Sequence, residues 1–379
     1  MPIRLVRTIG TPWAPYAVTF SRDGTRAVFG GGSWYGHGGI VVVELDNDRR
    51  TALDWHKVPW VVAGGIHPLR SMPSGVPSVS GLCFSDDDRF LAASMWASSQ
   101  SYAPGMLFQV DRSELDPVKV FDYQGLDPFI QPNEHERICR RGTPTGILLH
   151  ESYVIVRQHG GEPGGRHVIV LNPLLTDSQV RAELTTQQLT HSRMVIVRGS
   201  VITEAGGNRA LKRLQRDGSY ARVPATEGLA IRRLDEPTAP PDSLSVHECH
   251  RVTAIAALPG NRGFVTGGSD GQIDEWMWNG VWQQRRVRAA AQSRDPRSGA
   301  DAIVGLVTVT GTNQLVAVSS AGDLLVQRTD GAWECDRLPA RGSPRSLAAH
   351  PHLPWIAVGL KQGGFDEPEA VVLILAVGV

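Results

Sequence analysis

Val252-Thr-Ala-Ile-Ala-Ala-Leu-Pro-Gly-Asn-Arg-Gly-Phe-Val-Thr-Gly-Gly-Ser-Asp-Gly-Gln-Ile-Asp-Glu-Trp276 is the stretch that decides the fold. An apolar run meets a Pro-Gly-Asn turn, a second run rich in small residues meets Ser-Asp-Gly, and a third run ends on tryptophan. Short β-branched runs broken by tight turns read as consecutive antiparallel strands. The same order returns elsewhere. Tyr16-Ala-Val-Thr-Phe20 runs into the turn Ser21-Arg-Asp-Gly24, and Met106-Leu-Phe-Gln-Val110, Val168-Ile-Val-Leu171 and Val371-Val-Leu-Ile-Leu375 are similarly short apolar runs. The 41 glycines and 25 prolines are spread over all 379 residues, so many short elements between turns are expected and long helices are not.

The last core residue of each first strand serves as an anchor: Phe20, Phe84, Leu149, Val197, Ala257, Val309 and Ala349. Seven anchors imply seven repeats of one sheet, and strands recurring at such spacing predict an all-β chain, a single seven-bladed β-propeller over residues 1–379. The segment Ile3-Arg-Leu-Val-Arg-Thr8 is strand-like, whereas the last repeat holds only three strands. The N-terminal strand is therefore expected to close the ring and remove an unpaired edge.

Residues 252–276 resemble a WD40 repeat at nearly every structural position. In that family a histidine, a Ser/Thr, an Asp and a Trp form a hydrogen-bonded chain; the resemblance implies His247 (or His250), Thr266, Asp270 and Trp276 for those roles. Such a network keeps buried polar groups satisfied. The other repeats match more loosely: the sixth has Gln327 in place of Trp, the third and fourth have shortened first turns, and no Trp-Asp dipeptide closes any repeat.

In the WD40 family the connections between second and third strands, and those between blades, share one face. The resemblance thus turns loop lengths into a map. Blades 1, 2, 3 and 7 carry long second-to-third connections, 31–38, 96–104, 159–166 and 361–369, and blades 4, 5 and 6 are read without them. Insertions 55–77 and 123–142 are expected on the same side. These segments hold the candidate partner-binding residues Trp34, Tyr35, His37, Trp60, Trp96, Tyr102, His159, Glu162, Arg166, Phe365, Asp366 and Glu367, with Phe129 nearby. Large rings on a rigid scaffold suit the centre of a binding surface, with the charged residues giving orientation. The expectation is a non-catalytic WD40-like scaffold binding a protein or peptide partner within a multi-protein complex.

Composition narrows the other classes. Basic and acidic residues balance at 38 each, giving zero formal charge, so no overall field draws nucleic acid or an anionic membrane. No apolar run approaches the roughly 18 residues of a membrane span. The start, MPIRLVRTIG, lacks a signal-peptide core, and four scattered cysteines make no disulfide framework; a cytoplasmic protein is expected. Only four of the basic residues are lysines, a bias associated with GC-rich bacterial genomes. His247-Glu-Cys-His250 matches no zinc spacing, Cys83 reads as a core residue, and no Gly-x-Ser-x-Gly elbow is present. The glycine-rich run 30–39 joins strands, so no helix terminus awaits a phosphate. Neither metal nor cofactor is expected. Arg209, Lys212, Arg213, Arg216 and Arg222, with Arg285, Arg286, Arg288, Arg294 and Arg297, read as a solvated basic arc away from the aromatic sector. Two alternatives stay open: a propeller hydrolase or lactonase-like enzyme using His37, His159, Glu162, Arg166 and Asp366, and a small-ligand or glycan-binding propeller.

Overall fold

The computed structural model describes residues 3–32, 38–54, 60–62, 65–67, 78–85, 87–96, 105–110, 115–121, 143–150, 153–159, 166–171, 180–186, 194–205, 212–214, 220–222, 228–233, 242–245, 252–288, 302–362 and 370–378. The first strand is β1 (Ile3–Thr11). The first sheet follows as β2 (Ala14–Phe20), β3 (Arg26–Gly32), β4 (Gly38–Glu44) and β5 (Arg50–Asp54). A ribbon of β6 (Trp60–Val62) and β7 (Gly65–His67) precedes the second sheet, β8 (Ser78–Phe84), β9 (Phe90–Trp96), β10 (Gly105–Val110) and β11 (Leu115–Phe121). The third is β12 (Thr143–His150), β13 (Tyr153–His159), β14 (Arg166–Leu171) and β15 (Val180–Thr186). In the fourth, β16 (Met194–Val197) and β17 (Ser200–Ala205) lead into a ribbon, β18 (Lys212–Leu214) with β19 (Tyr220–Arg222), before β20 (Gly228–Arg233) and β21 (Asp242–Ser245). The fifth is β22 (Val252–Ala257), β23 (Gly263–Gly268), β24 (Ile273–Trp278) and β25 (Trp282–Arg288). The sixth is β26 (Ile303–Thr308), β27 (Leu315–Ser319), β28 (Asp323–Gln327) and β29 (Trp333–Arg337). The seventh is β30 (Ser343–Ala349), β31 (Trp355–Lys361), β32 (Ala370–Val377) and, on its outside, β1.

Each sheet is antiparallel and four-stranded, and its first strand lies beside the first strand of the next: β2 by β8, β8 by β12, β12 by β16, β16 by β22, β22 by β26, β26 by β30, and β30 by β2. Apolar layers fill the spaces between sheets. Val197, Ile202 and Leu229 meet Val252, Phe264 and Trp276; Ala254, Val265 and Ile273 meet Ile303, Leu315 and Leu325; Val318, Leu324 and Val326 meet Val358, Leu373 and Leu375; Phe20, Phe29 and Val41 meet Ala357, Val372 and Ile374. Both faces of such a sheet are buried, which is why its strands read as continuous apolar runs rather than as an alternation. Six of the seven sequence anchors fall on the last two residues of a first strand; Val309 stands one residue beyond β26.

One irregularity repeats. A β-bulge interrupts the first strand of six sheets near its start, at Tyr16, Ser80, Thr145, Thr253, Val304 and Arg345. Where the chain resumes its register, the partner strand supplies a small residue in four of the six, Gly30, Ser94, Gly267 and Gly359, and two of these glycines let the next sheet approach. A Cβ on Gly30 would sit 2.6 Å from Val79 Cγ1, and one on Gly267 2.6 Å from Ile303 Cγ2. In the glycine-rich run 30–39, Gly30 thus serves inter-sheet contact, and Gly31 and Gly39 lie close to the backbone of neighbouring strands at Ala14 O and Leu53 O.

The fourth sheet departs from expectation. Its second-to-third connection spans residues 206–227 and contains the β18–β19 ribbon, so the fourth sheet carries a long insertion where the sequence predicts a short connection. Strands of three residues are too short to show periodicity. The basic arc is corrected with it. Lys212, Arg213 and Arg222 belong to this connection and lie on its end of the sheet, whereas Arg285 and Arg286 stand exposed on β25, the outer strand of the fifth sheet, each paired with a carboxylate of β24: Arg285 pairs with Glu275, and Arg286 Nε lies 3.0 Å from Asp274 Oδ1. Arg209, Arg216, Arg294 and Arg297 lie outside the described residues.

Candidate interaction site

The boundary between the seventh and first sheets joins segments from the two ends of the chain, and three polar contacts cross it. Ser346 Oγ–H donates to Pro15 O at 2.8 Å, Arg7 Nη1 lies 2.8 Å from Asp48 Oδ1, and His350 Nε2 lies 2.9 Å from Gly24 O. His350 is buried among Phe20, His352 and Trp355, whose ring centroids stand 5.1, 6.2 and 5.6 Å from its own. Its Nδ1 accepts from the backbone N–H groups of His352 (3.1 Å) and Leu353 (2.9 Å), so the proton sits on Nε2 and the ring is neutral. Gly24, at φ 73°, leaves no room for a side chain there: a Cβ would press on the imidazole.

Burial pushes the His350 pKa below its ordinary value of 6.5, and the His352 ring adds to this; the Gly24 carbonyl and Asp23 act the other way without prevailing. The folded chain therefore resists protonating a ring that the unfolded chain protonates normally. Stability is complete above pH 6.5 and is lost as pH falls through the lower folded value. Thermal melts from pH 8 to pH 5 should show wild type losing more stability than His350→Gln; equal losses would show that this ring does not sense pH. The neighbouring Asp23 has its own arrangement. Burial would raise its pKa, but hydrogen bonds from Ser21 and Thr25 and the charge of Arg26 together hold it below the usual 3.8. It stays ionised and fixes the turn.

In an antiparallel sheet the second-to-third connection and the start of the first strand share one end. The bulges lie there. Ser80 Oγ is 3.0 Å from Ser94 Oγ, and Thr253 Oγ1–H donates to Ile303 O at 2.6 Å, so these two side chains serve packing. Tyr16 and Arg345 differ: the Arg345 guanidinium carbon stands 5.9 Å from the Tyr16 ring centroid across the boundary of the seventh and first sheets, and Arg345 is exposed. Nothing in composition or spacing marks these two, because a bulge adds a residue without a turn signal. The connections 33–37 and 363–369 leave the same end of the same two sheets.

Those connections carry six of the twelve expected partner-binding residues. Trp34, Tyr35, His37, Tyr102, Glu162, Phe365, Asp366 and Glu367 lie outside the described residues, as do His247 and His250. Four others have a described backbone. Trp96 ends β9 opposite Ser78, His159 ends β13 opposite Thr143, and Arg166 opens β14 opposite Thr186, which puts all three at the bulge end of their sheets. Trp60 stands opposite His67 in the β6–β7 ribbon, and β6 lies against β11, the outer strand of the second sheet.

In the fifth sheet, buried Trp276 Nε1–H donates to Thr266 Oγ1 at 3.1 Å, and its ring stacks on Phe264 at 5.8 Å and 7°. Asp270 Oδ1 accepts from Gln272 N–H at 3.1 Å and shapes the turn leading into β24. Among the described residues no three His, Cys, Asp or Glu side chains gather as a metal site. Cys83 is half-buried, its Sγ 3.4 Å from Phe84 O. Among the described residues no helix is long and apolar enough to cross a membrane.

No family model and no curated protein matches the chain. Solved structures do. The β-propeller domain of Cps50 (Swd1) from Myceliophteria thermophila is 11% identical, with a TM-score of 0.64 over 99% of this chain and 100% of that one. U3-55K is 14% identical, TM-score 0.63, covering 98% of each chain. The WD40 repeats of RRP9 are 13% identical, TM-score 0.60, over 98% of this chain and 96% of theirs. The chain has the fold of these WD40 β-propellers along nearly its whole length.

Proposed function

We propose that the seven sheets are the blades of one ring sealed by β1, and that the ring is a non-catalytic scaffold. It binds a protein or peptide partner on the loop face of blades 7, 1, 2 and 3, within a multi-protein complex. The observation that carries this reading is the Tyr16–Arg345 pair. An exposed arginine stands over a tyrosine at the boundary of blades 7 and 1, at the end from which the loops with Trp34, Tyr35, Phe365 and Asp366 depart. Arginine and aromatic residues dominate binding energy at protein interfaces, and a preformed ring loses little on ordering when a partner docks. The like-folded Cps50, U3-55K and RRP9 propellers support a scaffold role by analogy of fold. In blade 5 the resemblance to a WD40 repeat assigns His247 (or His250) to the polar chain of Trp276, Thr266 and Asp270, a structural role.

The test is capture. A tagged chain purified from its native host should bring down a stoichiometric partner protein. The triple variant Trp34→Ala, Trp60→Ala, Trp96→Ala should lose that partner more than ten-fold with its melting temperature unchanged. Full retention of the partner by the triple variant would remove this face from the proposal.

A further inference from the structure

The opposite face of the ring carries a second surface. First-to-second and third-to-fourth strand turns share the end away from the bulges, and at blades 4 and 5 three of them converge. Arg198-Gly199 joins β16 to β17, Pro259-Gly260-Asn261 precedes β23, and Asn279-Gly280-Val281 joins β24 to β25. The Arg198 guanidinium carbon stands 5.9 Å from the Trp278 ring centroid, and Trp278 meets Trp282 edge to face at 5.2 Å. Arg198 N–H donates to Asn261 Oδ1 at 2.6 Å, and Trp278 N–H to Arg262 O at 3.4 Å. Among the described residues, two of the five exposed large hydrophobics lie here, Trp278 at 39% and Val281 at 63%.

Arg198 is out of place in its own turn. Both Arg198 (φ 53°) and Gly199 (φ 68°) are left-handed, as a two-residue type I′ hairpin requires. The other described non-glycine residues with positive φ are Asp48, Asp88, Asn261 and Asn313, the residue types that tolerate this conformation. A long side chain gains nothing locally from strain of this kind, and strain kept at a surface turn points to use. The charge is also open: Arg7, Arg285, Arg286, Arg328 and Arg337 each hold a carboxylate, whereas among the described residues Arg198 meets none.

We infer that Arg198, Trp278 and Val281, with exposed Arg262 beside them, bind a short acidic–apolar peptide segment of a partner protein. A carboxylate of the segment takes the fork of Arg198, whose guanidinium stands over the indole, and an aliphatic or aromatic neighbour covers Val281 and the open edge of Trp278. Two arginines on a chain of zero net charge make too small a field for a nucleic acid, whose binding scales with the number of phosphates neutralised. A second copy fits poorly, since two-fold pairing would set the arginines against one another. The surface is independent of the loop face, so the ring would bridge two partners.

The experiment pans a phage-displayed library of random 12-residue peptides against the full chain and measures enriched peptides as fluorescent synthetic versions. Enriched sequences should place Asp or Glu beside Leu, Ile, Phe or Trp. Their affinity should fall at least ten-fold on Arg198→Asn and on Val281→Glu, fall with added salt, and be indifferent to alanine at Trp34, Trp60 and Trp96. Arg198→Asn keeps a residue suited to the left-handed turn, so its melting temperature should be unchanged or higher and loss of binding is not unfolding. Failure to enrich any sequence, enrichment of basic sequences, or peptides that bind both variants as well as wild type would each overturn the inference.

Discussion

Deleting residues 1–9 is expected to make the chain insoluble, or to lower its melting temperature by more than about 5 °C. β1 pairs with β32 from Ile3 opposite Val377 to Thr11 opposite Ala370, so the deletion strips hydrogen-bond partners from most of one edge of β32. That strand reads Ala-Val-Val-Leu-Ile-Leu-Ala-Val and is almost wholly buried. Uncovered, it is an apolar edge without a charge, the kind that pairs with other chains. The native edge is different: β1 has a bulge at Val6 and presents arginines at 4 and 7, features that discourage further pairing. The deletion also removes fully buried Ile9, contributing about 1.5–3 kcal/mol, and the Arg7–Asp48 pair across the boundary of the seventh and first sheets. A soluble truncated chain melting with wild type would show that the ring does not depend on this strand and would end the proposed closure. Solubility and calorimetry on the two chains suffice.

How far the sequence could be read depends on what signal each feature leaves. First strands end at buried or half-buried residues followed by Asp, Asn or Gly turns, and Phe20, Phe84, Val197 and Ala257 could be placed from that alone. The turns repeat a chemistry: Ser21 Oγ–H donates to Asp23 Oδ1 at 2.6 Å and Ser85 Oγ–H to Asp87 Oδ1 at 2.7 Å. The hydrogen bond from Ser85 and the charge of Arg89 hold the Asp87 carboxyl below its usual pKa against a small burial effect. Such local bonds are written in adjacent residues. Contacts between blades are not. Asp88 accepts from Arg22 N–H at 2.6 Å and Asp23 N–H at 2.8 Å, some 65 positions away, and His350 reaches Gly24 across 326. The β18–β19 ribbon, the bulges and the Arg198–Trp278 surface left no trace for related reasons: three-residue strands lack a period, bulges lack a turn residue, and Arg198 is of the wrong type for its turn. Of the site expected from sequence, the strand-end positions Trp96, His159 and Arg166 fall on one end because strand alternation alone fixes which end that is.

Replacing Trp276 by alanine should cost about 3–5 kcal/mol, as removal of a fully enclosed indole does. Trp276 is 3% exposed and touches the Phe264 layer between blades 4 and 5. Size alone would explain that loss, so Trp276→Phe is the informative variant. It keeps an aromatic ring against Phe264 but removes the donor to Thr266 Oγ1, a hydroxyl with no solvent exposure. Stranding a buried polar atom costs about 1–3 kcal/mol. If the hydrogen bond holds blade 5 as its geometry indicates, Thr266→Val should be destabilising in the wild type and much less so in the Trp276→Phe background. The double-mutant cycle should then close with a coupling of about 1 kcal/mol. Additive losses in chemical denaturation would mean that the indole N–H and the hydroxyl do not act together. The blade would then be held by ring stacking alone, and a histidine from the preceding connection would have no polar chain to complete.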